Sequence, residues 1–402
     1  VENITHTIFG KKQDTIQLQA GALGLGNFDY AKGDSITLDK ILYHSNWWLK
    51  DANVQFRTPQ KSISAWKIRA AGSPSVSLAL DSFAILNQLS KEAIWQLTPY
   101  EKGYETITGG KLSFSDIQMQ MADKKPLVEA AKMYSENLHF TVSKDKTKLE
   151  DTIDYRPLLT QMFTRMPLKL KIDSLLLNNA RVDAHEISKK TGKETHIFFT
   201  EINGYVKNVK TWDVQENDTL DTRVRARFFG TDLLRLHFKQ SYDDTLQGFW
   251  MRARMSHFNM PEMNKLLTPL MGLKIESGTI DSLLLVANGN DYFAYGTMDL
   301  RYHNLHAKIL KTADSKGKFL ISIENFFAGL LLRKHDNGRT NLLFKERLRK
   351  KSIFNFWAKI GLEGLLTNLG VKSDKKERKQ FEKTVEKFNL PEKYWEDIDD
   401  NW

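Results

Sequence analysis

The sequence predicts a mainly β protein built from repeated antiparallel units, with short helices and a helical C-terminal tail. Three observations carry that prediction. Apolar and polar residues alternate through most of the chain before Arg347, which is the period of strands wet on one side. The hexamer Ile-Asp-Ser-Leu-Leu-Leu stands at 172–177 and again at 280–285, and Asn178-Asn179 and Asn288-Gly289 follow the two copies. A duplicated β unit is the economical explanation. Beyond Arg347 the spacing turns helical.

Along the chain, Thr15–Leu18 and Ser35–Leu38 alternate as strands. The glycine-rich Gly21–Gly26 lacks the GxGxxG spacing, because position 29 is Asp, and is expected to form a turn or bulge rather than a phosphate cradle. Ser75–Leu80 reads as a strand and Phe83–Leu89 as a helix. Lys111–Met121 and Leu138–Val142 read as strands, and Lys144–Asp154 as a charged loop. Pro167–Leu177 opens the first hexamer copy.

Between the copies, three strands each set cations on one face and apolar side chains on the other. Arg223, Arg225 and Arg227 oppose Val224, Ala226 and Phe228; Arg235, His237 and Lys239 oppose Leu234, Leu236 and Phe238. Trp250, Arg252 and Arg254 oppose Phe249, Met251, Ala253 and Met255. The stretch Met255–Tyr302 then reads as strand, short helix and paired strands. Pro261 presets the helix start, and Met263, Leu266, Leu267 and Leu270 form its buried stripe. Pro269 keeps it short, Gly272 closes it, and turns are expected at Gly278, Asn288-Gly289 and Gly296. Near the C-terminus, 352–360 and 362–369 are expected as helices interrupted by Gly361 and Gly364 and ended by Gly370. Asp374–Asn389 is a charged helix and Pro391–Trp402 a loose tail.

Composition limits the chemistry. With no Cys, disulfides and thiolate metal sites are excluded. The formal charge is +10, and +6 of it falls between Arg333 and Lys351, where eight Lys and Arg face Asp336 and Glu346. No apolar run reaches the roughly 18 residues of a membrane span; the best, Phe319–Leu332, contains Glu324 and Asn325. The chain does not open on a secretory signal.

A catalytic or metal constellation is not expected. His303 and His306 have HxxH spacing, but strand geometry would point them to opposite faces, and Glu194 with His196 lacks a third ligand. There is no GxSxG, and the pairs Asp243-Asp244 and Asp399-Asp400 fall in turn or tail contexts. The cationic strand faces carry one aromatic, Trp250, among many cations, so a solvated face is expected rather than a nucleic-acid platform.

The unit Met255–Tyr302, with Ile275, Ser277, Gly278 and Ile280 at a strand start after the Pro261–Leu270 helix, resembles the AsmA-like family of bacterial envelope proteins. The segments 171–186, 202–209 and 347–370 extend the resemblance, which is clearest over 165–370 and fainter over 36–142. The family implies a U-shaped, incompletely closed sheet with an apolar concave face, anchored in the inner membrane and projecting into the periplasm. It implies no catalytic residue and no cofactor. The implied function is non-enzymatic phospholipid binding or conduction for outer-membrane and envelope biogenesis. The expected domains are 1–150, 151–345 and 346–402.

On that reading, Leu175, Leu177, Val224, Phe228, Leu236, Met251, Leu283 and Leu285 line the groove. Lys350, Lys351, Phe354 and Trp357 are candidates for membrane contact; the alternative is that their helix plugs the end of a sheet core. The partners are phospholipid and bacterial membranes, without nucleic acid. An N-terminal membrane helix preceding residue 1 is the family's expectation. The rival function is an envelope scaffold with a closed β core, and a third is a carbohydrate-active enzyme with two facing carboxylates.

Overall fold

The computed structural model describes residues 1–10, 14–26, 45–72, 75–122, 125–310, 335–336, 338–370 and 372–388. The expectations for Ser35–Leu38, Phe319–Leu332, Asp399-Asp400 and Pro391–Trp402 lie outside these. Among the described residues there are nineteen strands and five α-helices, and the strands pair mostly antiparallel. The predicted class is therefore the observed one. The chain divides into two compact units: unit 1 comprises Val1–Leu149, Thr164–His185 and Phe198–Asp213, and unit 2 comprises Glu150–Phe163, Glu186–Ile197 and Val214–Trp402.

Unit 1 begins with β1 (Glu2–Phe9), β2 (Thr15–Gly26), β3 (Asn46–Arg57) and β4 (Lys61–Gly72), each antiparallel to the next. The sheet forks at β4. Residues Lys61–Trp66 pair with β6 (Ser82–Asn87), which leads to β7 (Tyr104–Gly109) and β10 (His139–Asp145). Residues Arg69–Ala71 pair with β5 (Val76–Leu80), which leads to β8 (Leu112–Ala122), β9 (Lys125–Glu136) and, in parallel, β11 (Lys169–Ile187). β12 (Glu194–Lys210) belongs to unit 1 from Phe198 onward, as β11 does up to His185.

Several local expectations are corrected here. Phe83–Leu89 is not a helix: Phe83-Ala84-Ile85-Leu86 lie in β6, because a short apolar run fits either period and pairing on both sides decides for strand. The helix follows instead as α1 (Lys91–Gln96), capped by Ser90, whose hydroxyl accepts from the Ala93 amide at 3.2 Å. Gly21–Gly26 runs inside β2 rather than turning.

Unit 2 holds α2 (Leu159–Thr164) up to Phe163 and an antiparallel ladder: β13 (Thr219–Phe228), β14 (Asp232–Ser241), β15 (Phe249–Met255), β17 (Leu273–Gly289), β18 (Phe293–Ile309) and β19 (Thr340–Glu346). The two-residue β16 (Phe258–Asn259) pairs with β17 and feeds a 3-10 turn (Met260–Met263) and α3 (Asn264–Met271). Gly272, at φ 70°, closes α3 as expected. Pro269 lies within this eight-residue helix, two residues before its end, and Met263, Leu266, Leu267 and Leu270 are half-buried, not buried. Both hexamer copies lie in long strands preceded by a short helix, and Ile172 and Ile280 are each 3% exposed.

Two expected turns prove to be strand interior. Gly278 sits in β17 at φ 139°, next to a break in the ladder to β18. Gly296 sits in β18, where a side chain would collide with the carbonyl of Val286 and stand 2.6 Å from the Ala287 Cα. Close backbone approach, not turning, explains that glycine.

Residues 353–368 form one helix, α4 (Ile353–Asn368), followed by α5 (Asp374–Phe388). Gly361 and Gly364 do not interrupt α4. A Cβ on Gly364 would stand 2.9 Å from the Met298 sulfur, so its absence lets the helix lie against β18. Phe356 and Ile360 on α4 are 3% and 0% exposed, and Phe356 meets Phe249 edge-on at 6.0 Å.

Candidate functional site

The two units treat their apolar side chains differently. In unit 2, Phe238, Phe258, Leu273, Met298, Leu300, Tyr302 and Leu343 are all at most 2% exposed, forming a dry core. Unit 1 has a smaller core, in which Trp47, Leu78, Phe114 and Val128 pack against the buried Val76, Ile117 and Ala130, and it leaves many more large apolar side chains exposed. Among the described residues, every exposed large apolar side chain except Ile153, Met162, Leu348 and Phe354 belongs to unit 1.

These side chains are ordered by strand register. One cross-strand row runs Ile8, Ile16, Phe56, Ile63, Ile85, Ile107, Phe140, one residue from each of seven paired strands. A second runs Leu23, Leu49, Ala70, Leu78, Phe114, Met133, Leu175 along the other fork. None of these fourteen is buried, and Ile8, Ile16, Leu23 and Ile63 are 50%, 38%, 41% and 43% exposed. One residue over from the first row, the same strands align Thr7, Gln17, Gln55, Ser64, Ala84, Thr108 and His139. Gln55 donates to the Ser64 hydroxyl at 3.2 Å there. The sheet is amphipathic, and its apolar rows are partly exposed, four of the fourteen side chains exposed and ten half-buried.

The apolar positions change parity along several of these strands. In β3 they run Trp47, Leu49, then Ala52, Val54, Phe56; in β8 they run Leu112, Phe114, then Ile117, Met119. Each switch coincides with a left-handed residue, Asp51 at φ 52° and Asp116 at φ 54°. Such a residue adds one position to the strand, so the apolar set keeps to one side.

Of the predicted lining residues, Leu175 ends the second row and Leu177 is half-buried on the same strand. The other six belong to unit 2, where Met251 and Leu285 are 5% and 3% exposed and Val224, Phe228, Leu236 and Leu283 are half-buried. Phe228 packs on Phe229 and Phe258 at ring distances of 4.4 and 5.4 Å. The structure thus separates residues that alternation alone made equivalent.

Of the predicted membrane contacts, Lys350 and Lys351 both pair with Glu150, the latter at 3.2 Å, and together they pull the Glu150 carboxyl down to about 2. Trp357 lies against Phe238 with ring centroids 4.8 Å apart, and Phe354 is 59% exposed. Elsewhere in the basic segment Lys345 pairs with Glu363 and Arg349 with Asp291, both within 2.8 Å. Much of its charge is therefore neutralised locally.

A cavity of about 550 Å³ in unit 1 is lined by Trp48, Lys50, Arg69, Lys132, Tyr134 and Leu176 among others. Leu176 is the neighbour, on the opposite side of β11, of the predicted Leu175 and Leu177. Arg69 is held by Asp81 at 2.5 Å, and Lys50 lies 4.8 Å from the Trp48 ring.

The histidines need one correction. His303 and His306 do not point to opposite faces, because Asn304 between them is left-handed at φ 54°, while Tyr302, Leu305 and Ala307 take the buried side. Each has its own partner: His303 pairs with Asp281 at 2.8 Å and His306 with the Ser277 hydroxyl at 2.9 Å. In unit 1, Asp183 is 5% exposed on its side chain and accepts from Arg181 at 2.5 and 2.8 Å, with His139 at 2.8 Å.

Comparison with known protein families, with curated proteins and with solved structures finds no match to this chain.

Proposed function

We propose that the protein is a non-enzymatic lipid-binding protein whose unit 1 receives acyl chains on its open apolar face, while unit 2 is a packed scaffold. One observation carries the reading: fourteen apolar side chains aligned in two cross-strand rows, none of them buried. A partly exposed apolar surface of that extent supports an interaction site. Acyl chains would gain roughly 0.8 kcal/mol for each CH₂ taken out of water. Rows of Ile, Leu and Phe offer no directed polar contact, which suits a ligand that slides.

The AsmA-like resemblance supports the same reading. It would place the apolar face along a U-shaped groove in the periplasm, on a chain anchored to the inner membrane and serving envelope biogenesis. The helices of the described residues include none long and apolar enough to cross a membrane, so an anchor belongs to the proposal alone. The closed core of unit 2 favours the scaffold reading for that unit, with the apolar face of unit 1 then covered by a protein partner.

Native mass spectrometry with lipid extraction separates the two. The purified chain is expected to carry phospholipid and to take labelled phospholipid from liposomes. Ile63→Arg with Ile85→Arg, placed on the open row, should abolish uptake and leave the fold intact. A folded parent chain that carries no lipid and accepts none would reject lipid binding in favour of the scaffold.

A further inference from the structure

The outer face of β13–β14–β15 in unit 2 places like charges directly against one another. Arg225 lies opposite Arg235, and Arg235 opposite Arg254, one residue on each of three strands. The adjacent row is Arg223, His237 and Arg252. Strands lie about 4.8 Å apart and same-face neighbours about 7 Å apart along a strand, so five guanidinium groups and the His237 imidazole stand in two adjacent rows.

Like charges directly opposite destabilise a sheet, and nothing local offsets them in the central row. Among the described residues no carboxylate pairs with Arg225, Arg235 or Arg254. The acid on this face, Asp221, stands at one end, serving Arg223 at 3.5 Å and His237 at 3.0 Å. Beyond Arg254 and Arg252, β17 sets Leu284 and Val286 in register, both half-buried. The face is therefore a cationic cluster of five arginines bordered by aliphatic side chains.

We propose that this face docks on an anionic phospholipid membrane surface, an interaction separate from acyl-chain uptake by unit 1. Charge complementarity selects this occupant. Single-stranded nucleic acid calls for stacking aromatics among the cations. The aromatic present, Trp250, meets His237 edge-on at 4.9 Å and 84°, and the central arginine row has none. Headgroup phosphates need no stacking and are met by cations in two dimensions.

The test is flotation of the full chain with vesicles of phosphatidylcholine, with and without phosphatidylglycerol, at two salt concentrations. The parent chain is expected to bind only the anionic vesicles, and less at high salt. R225Q/R235Q/R254Q should weaken binding by on the order of 100-fold, and R235Q alone by about fivefold. K375Q/K376Q/K379Q removes equal charge from exposed positions of α5 and should leave binding within about twofold of the parent. Removing repelling charges from a wet face leaves the core untouched, and the single variant reports if the triple fails to fold. Three results would overturn the proposal: unchanged binding by the arginine variants, equal losses in both triple variants, or a parent that ignores anionic vesicles and binds an oligonucleotide instead.

Discussion

Arg347 and Asp291 face each other as an enclosed ion pair in unit 2, their side chains 0% and 5% exposed. Arg349 reaches the same carboxylate at 2.7 Å, and the Tyr155 hydroxyl donates to it at 3.3 Å while accepting from the Gln247 amide at 2.7 Å. Burial drives the Arg347 pKa down, and Asp291 counters it. A charge so enclosed depends on its partner. Asp291→Asn is expected to cost about 3–5 kcal/mol, read as a lower urea midpoint, whereas the paired replacement Arg347→Met with Asp291→Leu should cost much less.

Acid stability should show two opposed carboxylates. Burial alone would raise the Glu363 carboxyl, but Lys345 and Lys372 overcome it and hold it below the ordinary range. Its stabilisation is present above the unfolded-state pKa of about 4.3 and lost as pH falls through the folded value. Glu377 is raised by burial, with Lys372 and the Phe344 amide only partly compensating. Charging it costs stability at neutral pH, and that cost is relieved as pH falls through its folded pKa. Glu377→Gln is therefore expected to raise the melting temperature at pH 7 and to lose that advantage below about pH 4; an equal effect at both values would refute the assignment.

At Gly296 the backbone of β17 is close enough to meet any side chain. Gly296→Ala should separate the β17–β18 ladder at a cost of about 1–3 kcal/mol. Hydrogen exchange at the amides of Val286 and Ala287 should quicken accordingly, while exchange in β13 stays unchanged.

The contrast between the units is itself measurable. Met298, 1% exposed, should cost about 2–5 kcal/mol on replacement by Ala. Ile63, 43% exposed, should cost within about 0.5 kcal/mol on replacement by Gln. A large loss at Ile63 would mean that this side chain is covered in solution.

The β class was legible because alternation is local: Arg223, Arg225 and Arg227 are exposed and Ala226 is buried, as their positions predict. The Gly272 cap was legible for the same reason. What alternation cannot reveal is whether an apolar face is covered. Val224 and Ile63 look alike in sequence, and only the neighbours brought by the fold set them apart. The parity switches at Asp51 and Asp116 depend on a left-handed backbone at each, which alternation by itself does not foretell. Phe83–Leu86 failed because four consecutive apolar residues carry no period.

The partly exposed rows of unit 1 also bear on calorimetry. Apolar surface already hydrated in the native state adds nothing to the heat-capacity rise on unfolding, which it would otherwise supply at about 0.45 cal/mol/K per Å². The ligand-free chain should therefore fall short of the roughly 12–15 cal/mol/K per residue common to folded domains, giving a shallower stability curve. Occupying that face with hydrocarbon would dehydrate it and restore the missing increment, so curvature in the melting data would register occupancy even for a ligand too heterogeneous to identify by mass.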